Sequence, residues 1–253
     1  MKRTLLALCL SLAALSLAPP SSARAETVHF VTEEYPPFNF TKDGAIAGVS
    51  VDQVHAIAKA AGLDYTIEIM PWARAFALAE HQPMHCVFTA THTEERHDRF
   101  RWVEPLVQDV MVLVKRKGGG VAVHTLEDAM KLRIGAQRDD FAVGLLTAKG
   151  FRDIDLAADI DITLGKLLSG RIDLMPTSLK TFESMIAAGQ PVEKAMVMDG
   201  QIFGLACNRQ MPEAIHARLQ AELDKLVLEG GQDRIFAAHG LANPRTAANQ
   251  TKK

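Results

Sequence analysis

Two long apolar runs of strand character, residues 106–115 and 201–207, constrain this chain most, because they interrupt an otherwise regular β-α order. Before the first, strand-like segments at 27–32, 65–69 and 85–91 alternate with helices at 51–61 and 71–80. The first helix carries Val51, Val54, Ile57 and Ala61 on one stripe and stops at Gly62, and the second opens on Pro71, whose missing N–H costs nothing there. Between the runs, strands are expected at 132–136 and 172–175. Helices are expected at 141–149, 161–168 and 179–188, with a short one capped by Thr125-Leu126-Glu127-Asp128. After the second run comes a helix over 212–229, striped by Ile215, Leu219, Leu223 and Leu226, and a short helix around Ile235. Residues 33–47 read as a loop with Pro36, Pro37 and Gly44. This alternation predicts an α/β fold with a mostly parallel sheet. The economical topology is a first lobe in two pieces, 26–108 plus 203–243, with a second lobe, 109–202, inserted between them. Residues 244–253 form a polar tail expected to be disordered. Ligand sites in such folds lie in the cleft between lobes.

The N-terminus reads as a cleavable secretory signal over 1–25. Lys2 and Arg3 precede an apolar stretch over 5–17, and Ala23-Arg24-Ala25 supplies the cleavage pattern. The expected location is the periplasm. Removing that segment leaves 25 basic against 30 acidic side chains, a balance that disfavours a nucleic-acid partner. Cys86 and Cys207 then remain. An oxidising compartment permits them to pair, but both sit in apolar strand-like runs, where a buried free thiol is the commoner fate.

The strand at 85–91 leads into Thr93-Glu94-Glu95-Arg96, with Phe100 and Trp102 close behind. Taken locally, Thr93 is a helix N-cap and Arg96 a solvated charge. Taken with the rest of the chain, a strand ending in hydroxyl residues and followed by one arginine builds an anion site, the guanidinium forking onto a carboxylate. His81, His85, His92 and His97 lack the spacing of a zinc site, so no metal and no cofactor is expected.

Tyr35-Pro36-Pro37-Phe38, Gly48 with Asp52, Thr93-x-Glu95-Arg96, Gly135-Ala136-Gln137, Gly170-Arg171-Ile172-Asp173 and Phe203-Gly204-Leu205-Ala206 follow one another in an order that resembles the family 3 solute-binding proteins of ABC transporters. Those proteins mostly bind polar amino acids. Pro71-Trp72-Ala73-Arg74 suggests a divergent branch. The resemblance implies a Venus-flytrap fold of two α/β lobes joined by two crossing strands. It also implies a monomer that binds a small carboxylate-bearing solute, closes about its hinge and docks on a transporter permease, without catalysis. By position, Arg96 would fork the carboxylate, Thr91 would add its N–H and hydroxyl, and Tyr35 and Trp72 would flank the apolar part. Two positions depart from the family pattern. Ser178 stands where an aspartate usually holds the α-ammonium, and Asp139-Asp140 stands where a small pair usually completes the carboxylate cradle. Glu33 or Glu34 would supply a replacement counter-charge, and Arg74 would hold a second anionic group. Two alternatives stay open: a cyclohexadienyl-dehydratase-like enzyme using Asp139, Asp140 and Glu34 as acid and base, and an exported ligand-sensing module.

Overall fold

Residues 27–244 are described by a computed structural model. The expected signal segment, and all but the first residue of the expected tail, lie outside them. The chain runs β1 (Val28–Thr32), β2 (Phe40–Lys42), β3 (Ala45–Ala47), α1 (Val49–Ala60), β4 (Tyr65–Ile69), α2 (Trp72–His81), β5 (His85–Thr91), α3 (Glu94–His97) and β6 (Arg101–Arg116). It continues with α4 (Leu126–Ala129), β7 (Gly135–Gln137), α5 (Phe141–Ala148), β8 (Asp155–Ala157), α6 (Ile160–Leu168), β9 (Met175–Ser178), α7 (Leu179–Ala187), β10 (Val192–Cys207), α8 (Glu213–Leu228) and α9 (Gly231–Ala238).

The two apolar runs belong to β6 and β10, which are 16 residues each and pair antiparallel from Arg101–Cys207 to Arg116–Val192. At one end β10 also pairs with β5, and the sheet continues through β1 to β4. At the other end β6 pairs with β9. Two lobes, each of sheet and helices, are therefore joined by one pair of strands common to both. The expected mostly parallel sheet is corrected to a mixed one. Among the described strands, β4–β1–β5 and the separate β7–β8 pair are parallel and the other pairs antiparallel. The chain leaves the first lobe along β6 and returns along β10, and a strand that returns beside its outgoing partner must be antiparallel to it.

Alternation along the strands splits each lobe's core into two layers. Cys86 and Phe88 pack with Val54, Ile57, Leu219 and Leu223 beneath α1 and α8, whereas Val87 and Ala90 pack with Trp72, Phe76 and Phe100 beneath α2. In the second lobe Val112 and Val114 face Ile160, Leu164 and Leu167, and Leu113 faces Ile134, Leu146 and Phe151.

Three local expectations shift. The 33–47 segment contains the β2–β3 hairpin, turned at Asp43 (φ 51°) and Gly44 (φ 80°), a two-residue loop for which Asp-Gly is well suited. The strand expected at 172–175 starts only at Met175. Leu174 makes a single bridge to Ile134, and pairing with β6 begins one residue later. Cys86 and Cys207 form a disulfide rather than free thiols. They occupy directly opposed positions on β5 and β10, a relation that the sequence of either strand alone does not reveal.

Candidate functional site

The loop after β1 is locked against the N-terminus of α1. Ser50 N donates to Phe38 O at 2.9 Å, and a Cβ at Gly48 (φ 132°) would lie 2.2 Å from that same oxygen, so only glycine fits. This anchoring fixes Tyr35. Its hydroxyl accepts from Ser178 N at 2.9 Å and lies 3.2 Å from Thr177 Oγ1, across the cleft on β9. Burial pushes the phenol up to about 12, so it stays protonated. Tyr35→Phe would leave the buried Ser178 N–H without its acceptor. It is expected to weaken the closed arrangement by about 1–2 kcal/mol, read as a lower Tm and a larger radius of gyration in X-ray scattering.

β5 ends in a bulge. Ala90 opposes Gly204 while Phe88 opposes Leu205, and the extra residue, Thr89, has φ 58° and donates to Asn39 Oδ1 at 2.6 Å. Positive φ is strained for a β-branched residue, and such strain gathers where a strand must re-aim its side chains. Thr91 follows, then α3 with Arg96. Thr93 takes the N-cap position without a capping bond from its side chain. Arg96 is not solvated but 5 % exposed. Its guanidinium lies 4.7 Å from the Phe76 ring centre and 5.8 Å from that of Trp72. Nη1 donates to Thr91 O at 3.3 Å, and Nη2 donates across the cleft to Asp139 O at 2.8 Å. The same carbonyl accepts from Trp72 Nε1 at 2.9 Å. Burial pulls the guanidinium below its ordinary value, and the Asp140 carboxylate opposes that pull.

Two acids sit beside it. Glu33, 9 % exposed, accepts from Gln137 Nε2 at 2.5 Å, and burial pushes its carboxyl up to about 8, with Asp140 and Asp159 adding repulsion. Asp140 caps α5, accepting from Ala142 N at 2.7 Å. Burial raises its carboxyl and Arg96 lowers it.

These groups line two adjoining compartments of about 20 Å³ each. The first holds Glu33, Trp72, Thr89, Thr91, Arg96 and Phe203; the second holds Gln137, Thr163, Thr177 and Gln201. Tyr35, Asp140 and Phe141 line both. Five of the eight residues singled out in the sequence therefore come together: Arg96, Thr91, Tyr35, Trp72 and Asp140. Three do not. Glu34 turns outward to accept from Thr41 N and Oγ1. Arg74 lies on the exposed face of α2. Ser178 is buried with its hydroxyl committed to capping α7, accepting from Thr181 N at 3.0 Å. Glu33 was offered by the sequence only as an alternative to Glu34, and it lies past the end of β1, where no strand alternation could choose between them. Gln201 was legible as the polar end of an apolar run. Gln137 lay in a motif without a role, and nothing local marked Thr89.

Two α/β lobes joined by a pair of long strands, with a buried arginine in the cleft between them, define a hinged Venus-flytrap binding protein. The chain belongs to the bacterial extracellular solute-binding proteins, family 3, whose profile matches residues 28–241. Among solved structures it is similar to a histidine kinase sensor domain with similarity to periplasmic binding proteins (21 % identity, 87 % of this chain, 99 % of that one, TM-score 0.79). It is also similar to the arginine-, lysine-, histidine-binding protein ArtJ from the thermophilic bacterium Geobacillus stearothermophilus (19 %, 87 % and 97 %, TM-score 0.77). A third is an ancestral arginine-binding protein bound to arginine (22 %, 85 % and 98 %, TM-score 0.73). No curated protein matches the sequence.

Proposed function

We propose that this chain binds a small carboxylate-bearing solute, an amino acid or amino-acid-like compound, in the periplasm and delivers it to an ABC importer by hinge closure. The lobes would be 26–108 plus 203–243 and 109–202. The observation that carries the reading is Arg96, a cation withdrawn from water into an interlobe cleft, where the partners that reach it are carbonyl oxygens, Thr91 O and Asp139 O. A carboxylate satisfies such a guanidinium better than a neutral carbonyl does. In this reading the solute displaces Asp139 O from Arg96. Compartments of about 20 Å³ have room for little more than a water, so the solute enters with the lobes apart. Among structures of this fold, ArtJ is an arginine-, lysine-, histidine-binding protein and the ancestral protein is bound to arginine, which favours amino acids as the first probes. A thermal-shift screen of the L-amino acids and small carboxylates, with mass spectrometry of solute released from freshly purified protein, tests the reading. Stabilisation by at least one carboxylate is expected; stabilisation only by compounds without one would overturn it.

The similarity to a kinase sensor domain favours a second reading, an exported module that reports the same solute to a membrane receptor. A neighbouring permease and ATPase gene argues for import, and a neighbouring kinase or cyclase gene for sensing.

A further inference from the structure

We infer that Thr89 and Asn39 act as a positioning pair, in which one hydroxyl–amide hydrogen bond holds the left-handed backbone that brings Thr91 to the Arg96 compartment beside Tyr35. This role rests on the carboxylate reading of Arg96. It adds what fixes the anion-binding residues relative to the tyrosine that spans the lobes.

Backbone conformation sets Thr89 apart. Among the described residues, Asp43, Met84, Thr89, Asp139 and Asp153 have positive φ without being glycine. Aspartate tolerates this region through its short polar side chain, and Met84 is unbranched at Cβ. Thr89, at φ 58°, is β-branched and is the strained case. The strain redirects the strand. Val87 and Ala90 share the layer beneath α2, where unbroken alternation from Val87 would place Thr89 and Thr91. The bulge at Thr89 therefore turns Thr91 out of that layer, and Thr91 lines the compartment with Arg96.

One amide holds the bulge in place. Thr89 Oγ1 donates to Asn39 Oδ1 at 2.6 Å, and Asn39 Nδ2 donates to Glu33 O at 2.7 Å. Asn39 is fully buried, and its own carbonyl accepts from Tyr35 N at 2.7 Å. A single residue thus ties β5 to the turn that carries Tyr35. Tyr35, Thr89, Thr91 and Arg96 all line one compartment, so this tie sets their mutual placement. Removing the Thr89 hydroxyl leaves a buried acceptor on Asn39 open and frees the turn from the strand.

The residue type is itself informative. Glycine adopts positive φ without steric cost, so what threonine adds at this position is the hydroxyl. A neighbouring bond of the same kind provides a comparison. Thr32, fully buried on β1, donates its hydroxyl to Phe88 O at 3.1 Å. That bond ties β1 to β5 just before the bulge, and Thr32 lines neither compartment. A bond that positions the site and one that only packs the sheet therefore lie side by side, which lets affinity be separated from stability.

The test is isothermal titration of the full mature chain and its variants with L-arginine, L-glutamine, butyrate and succinate, beside thermal unfolding of each protein. Thr89→Gly removes the hydroxyl and relieves the backbone together. Its Tm is expected to stay within about 3 °C of the parent while affinity falls about tenfold, the value of one hydrogen bond at the upper end of its range. Thr89→Ser keeps the donor on an unbranched Cβ and is expected to hold affinity within about threefold. Thr32→Val is expected to lower Tm by about 2–6 °C and to leave affinity within about threefold. Unchanged affinity in Thr89→Gly, a loss in Thr89→Ser or Thr32→Val as large as in Thr89→Gly, or a Tm of Thr89→Gly below that of Thr32→Val overturns the positioning role and leaves the carboxylate reading standing. Binding of none of the four probes to the folded parent overturns the carboxylate reading and the positioning role with it.

Discussion

Arg96→Ala is expected to lower affinity for the solute by about 100-fold or more. A guanidinium that forks a carboxylate makes two charge-assisted hydrogen bonds, each contributing about 1.5–3 kcal/mol, and even the lower figure for the pair corresponds to roughly two decades. The site magnifies the effect, because Arg96 is 5 % exposed and screened from solvent by Trp72 and Phe76. Truncation also leaves Asp140 without the one cation that lowers its carboxyl, so closure would bury an unpaired acid. Arg96→Lys separates charge from geometry. It retains the positive charge but not the planar fork, and an intermediate loss is expected. Titration calorimetry against whichever carboxylate stabilises the parent reads all three proteins. Equal affinity in Arg96→Ala would remove Arg96 from the site.

Arg96 is also where sequence and structure meet most instructively. Its burial was not legible from Thr93-Glu94-Glu95-Arg96, a pattern that fits a capped, solvated turn equally well. What buries it is distant in sequence: Phe76 from α2 on one side and the Asp139 carbonyl from the far lobe on the other. The α/β order was readable because each helix stripe and strand alternation is a local property of the chain. Sheet polarity was not, because it depends on whether β10 returns beside β6 or beyond it. The same distinction separates Glu33 from Glu34. Both are acids in the loop after β1, but Glu33 is buried against Gln137 from across the cleft, whereas Glu34 is claimed by Thr41 of the β2–β3 hairpin. Ser178 was noticed for the charge it lacks, and the structure gives the missing half of the explanation. A hydroxyl there caps α7 and its backbone N–H holds Tyr35, a role in closing the lobes rather than in touching a solute.

Replacing both Cys86 and Cys207 by alanine is expected to cost about 2–5 kcal/mol of stability, equivalent to a fall in Tm of about 5–15 °C for a chain of this size. The bond closes a segment of 121 residues, which contains the entire excursion from β5 out along β6, through the second lobe and back along β10. Cross-linking so long a loop removes much of the unfolded chain's freedom, and in the chain-entropy account the gain grows with loop length. Both cysteines are fully buried among Phe30, Phe88, Leu205 and Leu219, so the double replacement keeps the site apolar and avoids stranding one thiol. Solute affinity in the folded variant is expected to match the parent. The β5–β10 register that sets Thr91 opposite Phe203 is also held by the opposed Phe88–Leu205 and Val87–Ala206 pairs, whose side chains are buried. Thiol titration of the denatured parent should find neither Cys86 nor Cys207 reactive until a reductant is added. An unchanged Tm in the variant, or reactive thiols in the unreduced parent, would show that the two strands are held by packing alone.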